Sequence, residues 1–483
     1  MKVTKWMVAA ALVCSPLVFT SCTESQDNPV EQPEETVSAE RTAFEKQLSA
    51  QLQQLAQEVK FESAMESTQA IGEFMAGIDE AALKEQINLF LAKTIAGASF
   101  VKTESLAAQD KQAVALCLKE RFKMTDAEIA QLPGIMTIDA NKALNTLHVT
   151  FKDGKCELTN DQSEGFCIEN VKPDGKTSKM VMKFGGASDG VNIFATRIEQ
   201  ISNTPLAIQL PKSFDIALTT AKGKVMNGTI ALSTKGASRY LSLNKNQWDA
   251  QIELTATVNG KNESIAFDAS YEEDGHFDVN GSINIGNKQV LGMGIKGVKE
   301  PYSEEYLGGE EMQEMKGMGP IFTACYAILK TLKGKTVDEL YVTFGGELEF
   351  KGSCKDVAKT VLALGNLYKL WNTNPSLAAV DAYTQELNKY VPFTVIQHST
   401  DITAQGTLVT TKKGINHEEY QPAVALTFKG ESKPQVMLDN MSEADRENYN
   451  KLIGSFNTLI QACDKLLGSI VEKVGEIRSI IKV

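Results

Sequence analysis

Two periodicities divide this chain. Through residues 41–132 apolar side chains recur at steps of three and four. Phe44, Leu48, Leu52, Leu55 and Val59 form one stripe, which predicts a helix. Asp79 can cap a second helix with Leu83, Ile87, Phe90 and Leu91 inside. A third is expected near 109–122 through Val114, Cys117, Leu118 and Phe122. Thr125 and Glu128 make a capping-box pattern for a short fourth helix, which Pro133-Gly134 stops. From about residue 146 the period becomes two. Leu147, Val149 and Phe151 alternate with Thr146, His148 and Thr150, and Asp153-Gly154 turns the chain. Over 250–297 four such runs, separated by Asn259-Gly260, Asp274-Gly275 and Gly286-Asn287, predict an antiparallel meander with one apolar face. Segments 165–171, 177–184, 191–201, 206–220 and 225–235 read as further strands.

After residue 300 the two periods mix. Helices are expected near 310–333, 353–371 and 376–390, and strands near 339–351, 393–411 and 423–430. Phe-Gly-Gly follows a strand at 184–186 and again at 344–346, as a diverged duplication or shared hairpin chemistry would give. The last segment is the longest periodic one. Ser442 can cap it, and Tyr449, Phe456, Cys463, Ile470 and Ile477 repeat every seven, beside the rows of Leu452, Leu459 and Leu466 and of Ile453, Ile460 and Leu467. Three apolar positions per heptad make a core-facing stripe. Gly454, Gly468 and Gly475 share another heptad position, which fits either close packing against a sheet or an exposed face. The fold class is therefore α+β: a large antiparallel sheet or meander, with an N-terminal helical region and a long C-terminal helix packed on it. By segment the reading is 1–21 as a signal peptide, 22–40 as a tether, 41–133 helical, 134–300 antiparallel β, and 301–483 α+β.

The start of the chain carries the most specific pattern. Lys2 and Lys5 precede an apolar run, Met7 to Val18, that ends in Phe19-Thr20-Ser21-Cys22. This describes a secretory signal, too short to span a bilayer. The cysteine after small residues resembles the lipobox of bacterial lipoproteins. The resemblance implies cleavage between Ser21 and Cys22 and acylation of Cys22 on its sulfur and new amine, with membrane lipid as partner and the outer membrane as site. Residues 23–40 hold six acids, two prolines and no base, the composition of a disordered tether. Glu24 and Asp27 resemble the surface-export signal of Bacteroidota lipoproteins. Read as an ordinary polar spacer, the same run leaves the membrane face open.

Loss of Lys2 and Lys5 leaves 47 bases against 61 acids, a charge of −14, which argues against a nucleic-acid partner. Past Cys22 six cysteines remain, with no CxxC pair to suggest a zinc ribbon or thioredoxin chemistry. Cys156 and Cys167 flank one short β segment and are the first candidates for a disulfide; buried free thiols are the alternative.

Catalytic motifs fare poorly. Gly186-Ala187-Ser188-Asp189-Gly190 matches G-x-S-x-G, yet lies between two strands where a nucleophile elbow needs a strand and a helix. Ser242-Leu243-Asn244-Lys245 is an isolated S-x-x-K. Gly175-Lys176-Thr177 and Gly334-Lys335-Thr336 lack the first glycine of a phosphate loop. His148, His276, His398 and His417 show no zinc spacing, although His276 stands between Asp274 and Asp278. Met312, Met315 and Met318 resemble the thioether sites of periplasmic copper carriers and equally form a helical core stripe. No catalytic residue and no cofactor is assigned. The reading is a lipid-anchored envelope protein that binds, carries or scaffolds, with an apolar small ligand or another envelope protein as partner. The rivals are an exported hydrolase with dispersed site residues and a Cu(I) carrier.

Overall fold

The computed structural model describes residues 38–86, 98–160, 165–185, 190–198, 204–234, 238–240, 248–258, 261–272, 276–299, 336–356, 359–360, 363, 366, 376–412, 420–437, 441–452, 454–456, 458–459 and 462. Helix α1 is Ala39–Glu58, capped by the Ser38 hydroxyl, which accepts from Arg41 N at 3.1 Å. Helix α2 is Glu62–Ala76. Residues 80–86 are helical behind Asp79, whose carboxylate accepts from Ala82 N. Strand β1, Ala98–Lys102, interrupts the stretch read as purely helical, before α3 (Ala108–Phe122) and α4 (Asp126–Ala130). The capping box of Thr125 and Glu128 forms at α4 as expected. Next come β2 (Gly134–Asp139), α5 (Ala140–Leu144), β3 (His148–Lys152), β4 (Lys155–Thr159), β5 (Phe166–Val171), β6 (Thr177–Phe184), β7 (Val191–Ile198), β8 (Thr204–Leu210), β9 (Ser213–Thr220), β10 (Gly223–Thr234), β11 (Trp248–Val258) and β12 (Lys261–Tyr271). The chain continues through β13 (His276–Ile285), β14 (Lys288–Lys299), β15 (Val337–Phe344), β16 (Leu348–Cys354), α6 (Leu377–Tyr390), β17 (Phe393–Gln397), β18 (Ile402–Lys412), β19 (Tyr420–Thr427) and β20 (Gln435–Val436). It is a mixed, strand-rich protein. The stretches 206–220, 339–351 and 393–411 each resolve into two strands. At 345–346 the break has a plain cause: Gly345 and Gly346 take φ of 61° and 70°, which side chains disfavour and a tight hairpin needs.

The chain divides into two compact units. Unit 1 joins the N-terminal residues through Phe61 to residues 276–464. Its strands run β20-β19-β18-β17-β16-β15-β14-β13, every neighbour antiparallel. Alternation puts Leu291, Phe344, Leu348 and Gln397 in one row across this sheet, and Met293, Val342, Phe350, Val395 and Ala404 in the next. Helix α1 lies on that face. Gln51 Nε2 donates to Phe344 O at 2.6 Å, Gln397 Nε2 donates to Phe44 O at 3.3 Å, and the Phe44 ring meets Phe428 edge-on at 5.2 Å. Residues 443–452 are helical, and Tyr449, Leu452, Phe456 and Leu459 are buried. The Phe456 ring stands 5.1 Å from Phe61 and 6.5 Å from Phe344. Helix α6 is held on β18 by Asn388, whose amide bonds both backbone groups of Leu408 at 2.8 Å.

Gly454 answers part of the question about the glycine row. It is exposed, and a Cβ built there would meet nothing within 4 Å. Gly454→Ala should therefore stabilise unit 1 by about 0.4–1 kcal/mol, through helix propensity and a less mobile unfolded chain. Urea unfolding checks this, and a destabilised variant contradicts it. Gly468 and Gly475 lie outside the described residues.

Unit 2 spans Glu62–Gly275 within the described residues. Its larger sheet runs β12-β11-β10-β9-β6-β5-β3-β4 and is antiparallel except between β3 and β5. A four-stranded sheet, β1-β2-β8-β7, contains a second parallel pair, β2 with β8. Both parallel pairs depart from the wholly antiparallel expectation. For the first the reason is local: the β3–β4 hairpin puts β4 outside β3, and the chain returns to β3's other edge as β5. Helix α2 covers the apolar face. Ser67 Oγ donates to Val225 O, Glu263 accepts from Ala64 N, and Asn170 Nδ2 donates to Phe74 O, each at 2.6 Å. Phe74, Phe151, Leu218 and Met226 pack together beneath it. The four runs expected as a meander form as strands β11 to β14, consecutive in the strand order, with β11–β12 a hairpin of unit 2 and β13–β14 a hairpin of unit 1.

The two Phe-Gly-Gly phrases serve different ends. The one at 344–346 closes the β15–β16 hairpin. At 184 the phrase ends β6, whose neighbour is β9 and not the next strand in sequence.

Candidate functional site

Most sequence candidates lie outside the described residues: Ser21, Cys22, Glu24, Asp27, Ser188, Ser242 to Lys245, Met312, Met315, Met318 and His417. His276 opens β13 opposite Lys299. His398, 47% exposed, pairs with Glu349 at 2.9 Å on the polar side of unit 1. Gly175-Lys176-Thr177 is a hairpin turn: Gly175 has φ 79°, and the Asp174 carboxylate takes both Lys176 N and Nζ.

Cys156 and Cys167 form no disulfide with one another; both are buried thiols, the alternative reading. Register gives the reason. Cys156 stands opposite Phe151 and Cys167 opposite His148, on the two flanks of β3. Residues 148 and 151 are an odd number apart, so the two thiols project from opposite faces of the sheet. Burial pushes the Cys156 thiol up to about 11 and also raises that of Cys354, which is bonded to Thr360 Oγ1 at 3.2 Å. At neutral pH both stay protonated, so neither has the thiolate that attack or metal binding requires.

The structure brings together three groups that the sequence reading kept apart. Parallel pairing sets His148 beside Cys167 and Thr150 beside Glu169, all on one face of unit 2. His148 Nε2 and Glu169 Oε2 are 3.1 Å apart, with the two side chains 18% and 24% exposed. An imidazole oriented by a carboxylate beside a thiol is the layout of a nucleophile and its base. Cys167, however, is only 1% exposed, so no substrate atom can reach its sulfur. The His148–Glu169 contact links β3 to β5 across the parallel step. Its signal was present as H-x-T and C-x-E in two strands, but it speaks only once those strands are known to pair in parallel.

The strongest electrostatics belong to unit 1. The Arg41 side chain is 1% exposed and that of Glu431 6%. Arg41 Nε and Nη2 donate to the two Glu431 oxygens at 2.8 and 2.7 Å, and Nη2 also donates to Leu426 O at 2.8 Å. Ser38 Oγ and Phe428 N complete the carboxylate's shell, and the guanidinium lies 4.7 Å over the Phe428 ring. The Arg41 bonds hold the Glu431 carboxyl down to about 2. Arg41 Nη1 lies 3.7 Å from Glu45 Oε1, so the buried charge is paired on both sides, as burial of charge demands. It joins the first turn of α1 to the loop after β19.

Among the described residues no group of three or more His, Cys, Asp or Glu side chains is placed to hold a metal ion, and no helix is long and apolar enough to cross a membrane. Compared with protein-family models, with curated proteins and with solved structures, the chain matches none.

Proposed function

We propose that this chain is an exported, lipid-anchored envelope protein of the outer membrane that works by interaction and not by catalysis, its helices from both ends laid on a large sheet. Phe19-Thr20-Ser21-Cys22 and the acidic run behind it support the anchor. One packing observation favours a scaffold over a carrier. The place where a carrier would hold an apolar ligand, between the unit 1 sheet and the C-terminal helix, is occupied by the protein's own rings, Phe61, Phe344 and Phe456. The raised Cys156 and Cys354 thiols and the sealed Cys167 weigh against nucleophilic catalysis at these cysteines.

Intact-mass measurement of the membrane-extracted protein tests the proposal. Acyl mass on a chain beginning at residue 22 is expected, and Cys22→Ala should leave an uncleaved or soluble precursor. A mature chain free of lipid removes the anchor. Organic extraction of the same sample should release no stoichiometric apolar molecule; one equivalent of such a molecule would turn the scaffold into a carrier.

A further inference from the structure

We propose that the outer edge of β1 is a docking site for an extended peptide segment of a partner protein, which adds to the four-stranded sheet of unit 2 as a further strand. An outer strand carries unpaired backbone groups, and folded proteins blunt such edges. The other outer strands of the described residues are blunted. β20 has two residues. β4 exposes the charged Lys155 and Glu157. β7 shifts register between Phe194 and Thr196, and its free edge is covered where Asn192 N donates to Arg239 O.

β1 has none of these. Among the described residues it pairs with β2 alone, without a register shift. Antiparallel ladders alternate inward and outward bonds. Thr103 N donates to Pro133 O, which continues the ladder and sets its phase. Ser99 and Val101 then face β2, while the N–H and C=O groups of Ala98, Phe100 and Lys102 face outward. Phe100 is 52% exposed on this edge. Its ring lies across Gly134, where a Cβ would come within 2.6 Å of Cζ, so glycine seats the ring and leaves its other side open. Ala98 packs beside it on Met136, Ile138 and Leu206.

These features describe the occupant. It is extended, because three outward backbone pairs ask for a strand. It carries an apolar residue in register with Phe100 and, two residues away, a carboxylate against Lys102, which is exposed and forms no ion pair among the described residues. A five-residue edge falls far short of the roughly 1,200 Å² a stable protein–protein interface buries, which favours a short segment over a second copy of this chain. The inference deepens the interaction role proposed above but needs no acyl chain.

A displayed library of random heptapeptides, selected on the full mature protein in detergent and counter-selected on Phe100→Pro, tests it. Proline removes the ring and the outward N–H of residue 100 but no bond to β2. Phe100→Ala, which keeps the backbone donor, guards against a folding defect. Enrichment of an acid-x-apolar pattern is expected, with at least tenfold weaker binding to both variants and slowed amide exchange at Ala98, Phe100 and Lys102. Absence of enrichment, equal binding to the variants, or wild-type self-association that Phe100→Pro abolishes would each overturn the proposal. An unacylated but peptide-binding protein would instead refute the anchor and leave the docking edge standing.

Discussion

Arg41→Ala should cost unit 1 about 3–5 kcal/mol, because it strands a buried carboxylate rather than merely deleting a contact. Glu431 would lose both guanidinium bonds, and Leu426 O would lose its donor. The same pair predicts a pH effect of defined sign. The folded-state pKa of Glu431 is lowered from 4.5 to about 2, so the native state holds the charged form more tightly than the unfolded chain does. Its contribution is complete above about pH 4.5 and disappears as pH falls toward 2. Urea midpoints for wild type and Glu431→Gln, measured from pH 7 down to pH 3, should converge with acid. Parallel curves would show that the pair does not carry this linkage.

Phe456→Ala should have an effect of similar size, about 3–5 kcal/mol, from lost burial plus the cavity left behind. The ring is 2% exposed and touches Phe61 and Phe344, so its removal opens the core where three segments of unit 1 meet. Leu459→Ala, 4% exposed in the wild type, should cost about 2–5 kcal/mol. Chemical denaturation measures both. Losses below about 1 kcal/mol would mean that the segment from 443 is a loosely attached helix, and hydrogen exchange along it would then be fast.

How much could be read beforehand depended on the range of the interaction. Asp79, Thr125 and Ser442 act within three residues, and the structure uses all three side chains to start helices. The α1 stripe of Phe44, Leu48, Leu52, Leu55 and Val59 is buried in full. Hairpins signalled by Asp153-Gly154 and Gly286-Asn287 stand where expected. What failed was partner choice. Nothing near Cys167 says that its strand lies parallel to β3, which sets the cysteine opposite His148 and away from Cys156. The Arg41–Glu431 pair spans 390 positions, and in a chain with 61 acids no local pattern selects Glu431. Strand β1 escaped notice because five residues with one charge carry little periodicity.

The order of segments in unit 1 has a consequence for how the chain matures. Residues 62–275 separate the two parts of unit 1 in the chain. Helix α1 is made before them, yet the groups that receive it, Phe344 O, Gln397, Leu426 O and Glu431, come roughly 290–390 residues later. At about 5–20 residues per second that separation is tens of seconds of synthesis. Throughout that wait the stripe from Phe44 to Val59 has no sheet to lie on. The newborn chain thus carries a sticky leading segment, and any stalled or truncated product that stops short of residue 344 lacks every one of these receiving groups. Quality control would meet this protein first as an orphaned amphipathic helix.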